Sequence, residues 1–268
     1  MGKTVFVTGA SSGIGQSVVQ KFLAEGWNVV ATMRAPEKSQ LGQNSSLLLL
    51  PIDVTKPAQI AAAYQAAIER FGVIDALVNN AGLGVLGPVE MLQRTDIEQQ
   101  FAVNVFGLIQ VTQQFLPHFR EQKSGVIINI SSMYGKISMP YFGIYAATKH
   151  AVEALSESLQ QEVYDFGIQV KIIEPGSIRT NFMDNAKMVG LDSESVYSPQ
   201  YHQFMKSIAK GSKGGADPSQ VADAVWRAAS TNGFSTRFRT DQTGRLLLLL
   251  HAMLPPKYYA KLLRKVIR

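Results

Sequence analysis

Short apolar runs alternate with stretches of helical spacing along most of this chain, and that alternation limits its possible folds more than any other feature. The runs are 4–8 (TVFVT), 28–33 (NVVATM), 47–52 (LLLLPI), 74–79 (IDALVN), 126–131 (VIINIS) and 168–174 (IQVKIIE). After the first of them, Ile14, Val18 and Phe22, with Val19 and Leu23, share one helical face that Gly26 closes. Stretches 57–71, 95–119 and 143–166 follow the same spacing. Strands that are apolar throughout are buried on both faces, and a helix after each one predicts a parallel sheet covered on both sides. A chain of 268 residues suits either one large α/β domain or two small ones. No Pro/Gly/Ser linker divides it and no repeat appears, so the expectation is one doubly wound, Rossmann-type domain over 1–256.

Two regions interrupt the alternation. Residues 177–216 carry scattered large side chains (Phe182, Met183, Met188, Leu191, Tyr197, Tyr201, Phe204, Met205), and a long segment of this kind is expected to be a substrate lid. Residues 257–268 place Tyr259, Leu262, Leu263 and Val266 on one helical face and five Lys or Arg largely on the other, a basic amphipathic helix. That tail could close the substrate mouth, contact another subunit or touch a membrane peripherally. It also holds the chain's charge imbalance. The formal charge is +6, but without those five residues 21 basic side chains face 20 acidic ones. A nucleic-acid partner is therefore not expected.

Composition excludes several chemistries. With 46% hydrophobic and 17% charged residues the chain has the material for a core. The absence of cysteine rules out thiol catalysis, Cys-ligated metals and disulfides. Histidines 118, 150, 202 and 251 are scattered without ligand spacing, so no catalytic metal is expected. The longest uninterrupted apolar run, Leu246–Leu250, is far short of a membrane span. The chain enters a strand pattern at residue 4, leaving no room for a signal peptide. A cytoplasmic protein is expected, with peripheral membrane association at most.

Thr8-Gly9-Ala10-Ser11-Ser12-Gly13-Ile14-Gly15 lies where the first strand passes into the first helix. Glycines there let a pyrophosphate approach main-chain N–H groups at the helix N-terminus, whose dipole favours negative charge. An ordinary tight turn is the alternative, but the flanking strand and helix favour a dinucleotide. The second strand ends Ala31-Thr32-Met33-Arg34, with no acid before Glu37. An acid at that point would bind ribose hydroxyls, whereas Arg34 suits a 2′-phosphate, so NADP(H) is expected rather than NAD(H). The other reading makes Arg34 a solvated charge beside a site that takes either cofactor.

Of nine tyrosines only Tyr145 has a lysine four residues later, Lys149, which puts both on one helical face. A phenol titrates near 10, and an adjacent ammonium lowers that value toward neutral exchange. Hydride transfer to a carbonyl needs such a group, because the alkoxide formed must take a proton. A chance helix pair is the alternative.

With these pieces in order, the chain from its first strand to about residue 180 resembles the short-chain dehydrogenase/reductase family, and its substrate region, including Val105-Phe106-Gly107 and Ala154-Leu155-Ser156-Glu157-Ser158-Leu159, looks most like the family's 17β-hydroxysteroid and retinol dehydrogenases. The resemblance rests on TGASSGIG, on Asp53 in Ile52-Asp53-Val54-Thr55, and on Asn79-Asn80-Ala81-Gly82. It rests further on Asn104 in Val103-Asn104-Val105, Ser132 thirteen residues before Tyr145, and Pro175-Gly176-Ser177-Ile178-Arg179-Thr180. It implies Tyr145 as general acid in reduction and base in oxidation, and Lys149 as the group that lowers its pKa and binds the nicotinamide ribose. Ser132, with Ser131 as its neighbouring alternative, would hydrogen-bond the substrate oxygen, and Asn104 would hold a water linking Lys149 to solvent. Gly9, Ser11, Ser12, Gly13, Ile14, Gly15, Arg34, Asp53, Asn80, Ala81, Gly82, Pro175, Gly176, Ile178 and Thr180 are implied as cofactor contacts, together with Tyr145 and Lys149. Residues 139–142 and 182–205 suggest an apolar carbonyl or alcohol substrate, unless these side chains only pack the core. A homo-oligomer, dimer or tetramer, is expected. A non-catalytic NADP(H) sensor, or epimerisation or dehydration on the same fold, are the other readings.

Overall fold

The computed structural model of the chain describes residues 2–190, 195–231, 233, 236–240, 248–251, 253–255, 257–259, 261 and 264. Nine strands occur among them: β1 (Thr4–Thr8), β2 (Asn28–Met33), β3 (Leu47–Pro51), β4 (Ala76–Asn79), β5 (Val85–Leu86), β6 (Gly125–Ile130), β7 (Ile168–Glu174), β8 (Lys187–Met188) and β9 (Arg237–Arg239). Eight α-helices accompany them: α1 (Gly13–Ala24), α2 (Pro57–Phe71), α3 (Arg94–Phe101), α4 (Leu108–Gln122), α5 (Gly143–Glu162), α6 (Phe182–Asn185), α7 (Ser198–Lys213) and α8 (Pro218–Ser230). Seven strands form one parallel sheet in the order β3-β2-β1-β4-β6-β7-β9, and β5 pairs with β8 in a separate two-stranded sheet.

Alternate residues along each strand feed two cores, because successive side chains point to opposite faces. Val5, Val7, Val29, Ala31 and Val78 pack with α1 and α8, where Phe22, Trp27 and Trp226 meet edge to face. Phe6, Val30, Leu77, Ile127 and Val170 face α2 and α4, with Phe115 set 4.7 Å from Phe6. Among the described residues, no helix is long and apolar enough to cross a membrane.

Strand order reverses between β1 and β4, and such a point opens a crevice beyond the carboxyl ends of the strands. The loop into α1 leaves β1 at that point. Buried amides hold β4 and β6 to the helices beneath. Asn79 Nδ2 donates to Thr112 Oγ1 (3.0 Å) and to Asn129 Oδ1 (2.9 Å), and Asn129 Nδ2 donates to Ser156 Oγ at 2.8 Å.

Several element boundaries differ from the sequence reading. The stretch 95–119 is two helices joined by a π-helical turn over Ala102–Gly107. Helix α5 stops at Glu162, and a 3-10 turn, Tyr164–Phe166, leads to Gly167 in the left-handed region (φ 73°). Strand β4 begins two residues later than expected, since Asp75 accepts from the Thr4 N–H through its side chain (2.7 Å). Strand β9 (RFR) carries one apolar residue and escaped the pattern altogether. Of the tail's apolar face only Tyr259 is among the described residues; Leu262, Leu263 and Val266 lie outside them.

Candidate active site

A single cavity of about 1210 Å³ runs from the glycine loop to the C-terminal segment. Its first part is built for an anion. Gly9 (φ 68°) and Gly13 (φ 55°) take left-handed conformations that only glycine adopts freely. Ser12 caps α1 in extended conformation without a side-chain hydrogen bond to the first turn, so the helix presents open N–H groups to the cavity. Asn80 fixes the loop from below: its Nδ2 donates to the Thr8 and Gly9 carbonyls at 3.0 and 2.9 Å. Thr8 Oγ1 in turn accepts from the N–H groups of Asn80 and Ala81.

Ser11, Ile14 and Gly15 line the same part, as do Gly82 and the segment Pro175, Gly176, Ile178 and Thr180. Arg34 is exposed at the end of β2 and lines the cavity beside Asp53. Burial raises the Asp53 pKa, but two hydrogen bonds from Thr55 (3.0 and 2.7 Å), with help from Lys56 and Arg34, hold the carboxyl below its usual range. These features fit a dinucleotide: open helix N–H groups for the pyrophosphate, a carboxylate for a base edge and a cation at the ribose end.

The second part of the cavity brings Ser132, Tyr145 and Lys149 together. Tyr145 is 8% exposed and Lys149 is 7% exposed, both on α5. The Lys149 ammonium donates to the Ile130 carbonyl (2.8 Å) and stands 5.8 Å from the centre of the Tyr145 ring. Here the structure corrects the sequence reading. The phenol is not lowered by its lysine; burial pushes Tyr145 up to about 12, and a hydrogen bond with Ser132 offsets only part of that. Desolvation of the phenolate outweighs the help of Ser132, while Lys149 is turned to a carbonyl and is itself lowered by burial to about 8. Glu153, one turn on, opposes that fall.

Of the two serines, Ser132 is the one whose hydroxyl reaches Tyr145. The Ser131 hydroxyl lies against Gly135 beside Glu153. Asn104 does not line the cavity. It sits buried in the π-helical turn, with Oδ1 accepting from Leu83 N–H (2.9 Å) and Nδ2 donating to Leu83 O (3.0 Å) and Thr148 Oγ1 (3.2 Å).

The aromatic segments divide. Phe142, Phe182 and Met183 line the cavity with Met139, whereas Tyr201 and Phe204 are wholly buried and pack on Tyr141 behind it. Leu191 lies outside the described residues. Segment 177–216 is tied down at both ends. Ile178 bridges Ala216, and Arg179 pairs with Asp217. Further along, β8 pairs with β5, Lys187 reaches the buried Asp96 (2.5 Å), and Tyr201 donates to the Leu86 carbonyl (3.0 Å).

Sequence reasoning missed two groups. Tyr134, Ile137, Ile208 and Leu250 also line the cavity, and no periodicity marks them; Tyr259, from the tail's apolar face, joins them. Behind the site, the buried carboxylates Glu153 and Glu174 share Arg237 (3.3 and 3.2 Å). Lys136 pairs with Glu153 (3.1 Å) and Arg239 with Glu174 (2.9 Å). This network joins the turn after Ser132, helix α5, and the end of β7 immediately before Pro175.

A nucleotide cleft that ends on a buried tyrosine, lysine and serine defines an oxidoreductase working with a nicotinamide cofactor. Residues 3–188 match the family described as short chain dehydrogenase, and the chain belongs to that family. Two curated relatives span nearly its whole length. "Uncharacterized oxidoreductase YusZ" of Bacillus subtilis (strain 168) is 35% identical, covering 98% of each chain. "3-Ketodihydrosphingosine reductase" of Bacteroides thetaiotaomicron is 33% identical, covering 92% of this chain and 90% of the relative. Among solved structures, a short-chain dehydrogenase from Streptomyces avermitilis superposes with a TM-score of 0.84 at 32% identity, over 98% and 95% of the two chains. Both nicotinamide cofactors occur in such neighbours. A Brucella melitensis 3-ketoacyl-(acyl-carrier-protein) reductase holds NADH (TM-score 0.75, 26% identity, 89% and 97% covered). ElxO holds NADP (0.75, 26%, 90% and 98%).

Proposed function

We propose that the chain is an NADP(H)-dependent oxidoreductase that interconverts a carbonyl and an alcohol on a neutral, apolar substrate, with Tyr145 as the proton-transfer group. The Tyr145 hydroxyl carries this reading: it is buried, held protonated by its surroundings and hydrogen-bonded to Ser132 at the apolar end of a dinucleotide cleft. The nicotinamide, when bound, supplies or accepts the hydride. A phenol titrating near 12 is protonated throughout the neutral range, the form that neutralises the alkoxide when the carbonyl is reduced. Ser132 polarises the substrate oxygen, and Lys149, largely charged below about 8, binds ribose hydroxyls. The Asn104 side chain is taken up by Leu83 and Thr148, and its role here is the one the resemblance implies, holding a water that links Lys149 to solvent. The name of one relative, a reductase of a 3-keto compound, supports the reductive direction.

NADPH consumption by the purified chain, followed across ketones, aldehydes, steroids and retinoids, tests the proposal. Turnover confined to small polar carbonyls removes the apolar substrate; no consumption with any carbonyl removes the reaction. Cofactor choice has its own test in Arg34, an exposed cation with no acid nearby on β2. Arg34→Asp is expected to lower the NADPH:NADH ratio of kcat/KM by at least about tenfold, since a charge-assisted contact is worth ~1.5–3 kcal/mol. An unchanged ratio would leave Arg34 a solvated surface charge.

Segment 177–216 serves as the lid in this proposal, latched by Lys187 on Asp96. Lys187→Ala leaves the buried carboxylate unpaired and frees β8 from α3. Because Lys187 itself is mostly exposed, the expected effect is modest: KM for the carbonyl rises by roughly three- to tenfold with NADPH affinity unmoved. Equal losses for both ligands would place the pair in the scaffold instead of the lid.

A further inference from the structure

The described residues between 248 and 264 have two faces. One forms part of the wall at the apolar end of the cavity. Leu250 and Tyr259 line that cavity, and Leu248 and Tyr259 are buried in a cluster against which Leu254 packs. Two helical turns, 248–251 and 257–259, build the segment, and they are tied together. The Leu254 N–H bonds the Leu250 carbonyl (2.9 Å), the N–H groups of Tyr258 and Tyr259 share the Pro255 carbonyl (2.9 and 3.2 Å), and the His251 and Tyr259 rings stand 4.8 Å apart.

The other face meets solvent and is apolar too. Leu249 is 54% exposed, Met253 72% and Tyr258 58%. Leu249 and Met253 are one helical turn apart and share a side, as Leu250 and Leu254 share the inner one. Ten large hydrophobic side chains are exposed among the described residues, and three of them fall within positions 249–258. A single exposed apolar side chain needs no account, but a cluster does. Exposed cations follow directly: Lys257, Lys261 and Arg264, whose spacing puts them on one side of a helix. Residues 242–268 contain no Asp or Glu that would offset them.

We propose that this outer face docks on an anionic lipid surface, with Leu249, Met253 and Tyr258 entering the boundary between headgroups and acyl chains and Lys257, Lys261 and Arg264 meeting lipid phosphates. A bilayer uses both halves of the face at once, because apolar side chains are buried at the boundary while ammonium and guanidinium groups stay with the headgroups. A nucleic-acid backbone would engage the cations and leave the apolar side chains in water. Docking stands on the outer face alone. Its consequence, that an apolar molecule leaving the lipid meets the cavity wall at Leu250 and Tyr259, rests on the substrate class proposed above.

The test is co-sedimentation of the full chain, without substrate, on vesicles of phosphatidylcholine alone and of phosphatidylcholine mixed equally with phosphatidylglycerol. Wild type is expected to bind the mixed vesicles at least about tenfold more tightly, since each cation near an anionic surface adds about a fivefold gain. Lys257→Glu with Lys261→Glu should remove that preference. Leu249→Ser with Met253→Ser should weaken binding to the mixed vesicles about tenfold and leave the remainder sensitive to salt. All four side chains are surface groups, so NADPH affinity should stay within about twofold of wild type in both variants. The two pairs change different chemistry, so either decides the matter if the other fails to fold. Wild type that ignores the mixed vesicles, binds both compositions equally, or keeps its binding in both variants overturns the proposal. A chain that ignores vesicles but self-associates, and loses that association in the same variants, makes this face a contact between copies and overturns it as well.

Discussion

Tyr145→Phe is expected to lower carbonyl reduction by about 10³-fold while NADPH affinity stays within about threefold of wild type. The substitution removes one oxygen from a ring that stays fixed by its neighbours. Phe182 lies 5.2 Å away, Tyr134 6.1 Å and Phe142 6.4 Å, so the cavity keeps its shape. What disappears is the proton that neutralises the alkoxide and the interaction with Ser132, whose hydroxyl stays held by the Tyr134 N–H and the Pro175 carbonyl. The pH dependence of the wild type follows from the same group. Its pKa is raised to about 12, so the protonated donor is fully populated at neutral pH, and reduction should show no loss from this group until strongly alkaline solution. Oxidation needs the phenolate and should climb with pH over the same range. Lys149, lowered to about 8, adds a second limb: its charge is present below that value and lost above it, so cofactor affinity should weaken on the alkaline side. Steady-state rates in both directions across pH, with fluorescence titration of NADPH, check each part. Turnover near wild type in the phenylalanine variant would mean that another group supplies the proton.

The sequence was most informative where local chemistry and periodicity coincide. Six strands of the main sheet, the glycine loop and the start of the Tyr145–Lys149 helix are each set by residues close together in the chain, and the structure has them within two residues of where the pattern put them. The proton-donor environment was not legible in that way. Helical spacing shows that Lys149 is one turn from Tyr145, but where its ammonium turns and how deeply the phenol is buried depend on Ile130 and Phe182, which come from separate elements. The same holds for β9. Its three residues, RFR, carry no strand signal of their own; β7 supplies the neighbour, and the buried Glu153 and Glu174 supply partners for its arginines. Tyr259 looked like one position on an amphipathic stripe, and only the closed cavity shows what its ring faces. Asn104 carried a helical signal on both sides, and nothing in that signal announced a π-helical turn.

Gly15→Ala is expected to be the most damaging single-methyl change in the cofactor cleft. A Cβ built there lies 2.3 Å from the Gly9 carbonyl oxygen, 2.5 Å from Asn80 Nδ2 and 3.0 Å from Ala10 Cα. None of these atoms is the free end of a flexible side chain. Gly9 is held in its left-handed turn by backbone geometry, and Asn80 is held by its two bonds to the Thr8 and Gly9 carbonyls. Relief therefore requires either loss of both Asn80 bonds or displacement of the peptide that faces the pyrophosphate, and both damage the same loop. Overpacking of this kind costs about 3 kcal/mol, which corresponds to a Tm lower by roughly 6–10 °C for a chain of this size. NADPH affinity should fall by at least about 100-fold, the equivalent of ~2.7 kcal/mol. Gly26→Ala provides the control, because Gly26 is left-handed (φ 78°) with no atom within 4 Å of the added carbon, whereas Gly15 is helical and meets the obstruction alone. It should lose only the backbone penalty of about 1 kcal/mol and bind NADPH normally. Calorimetry and NADPH titration of the two variants separate backbone strain from obstruction of the cleft. If both variants bind NADPH equally well, the loop tolerates the extra carbon, and the close approach of Gly9, Gly15 and Asn80 does not govern cofactor binding.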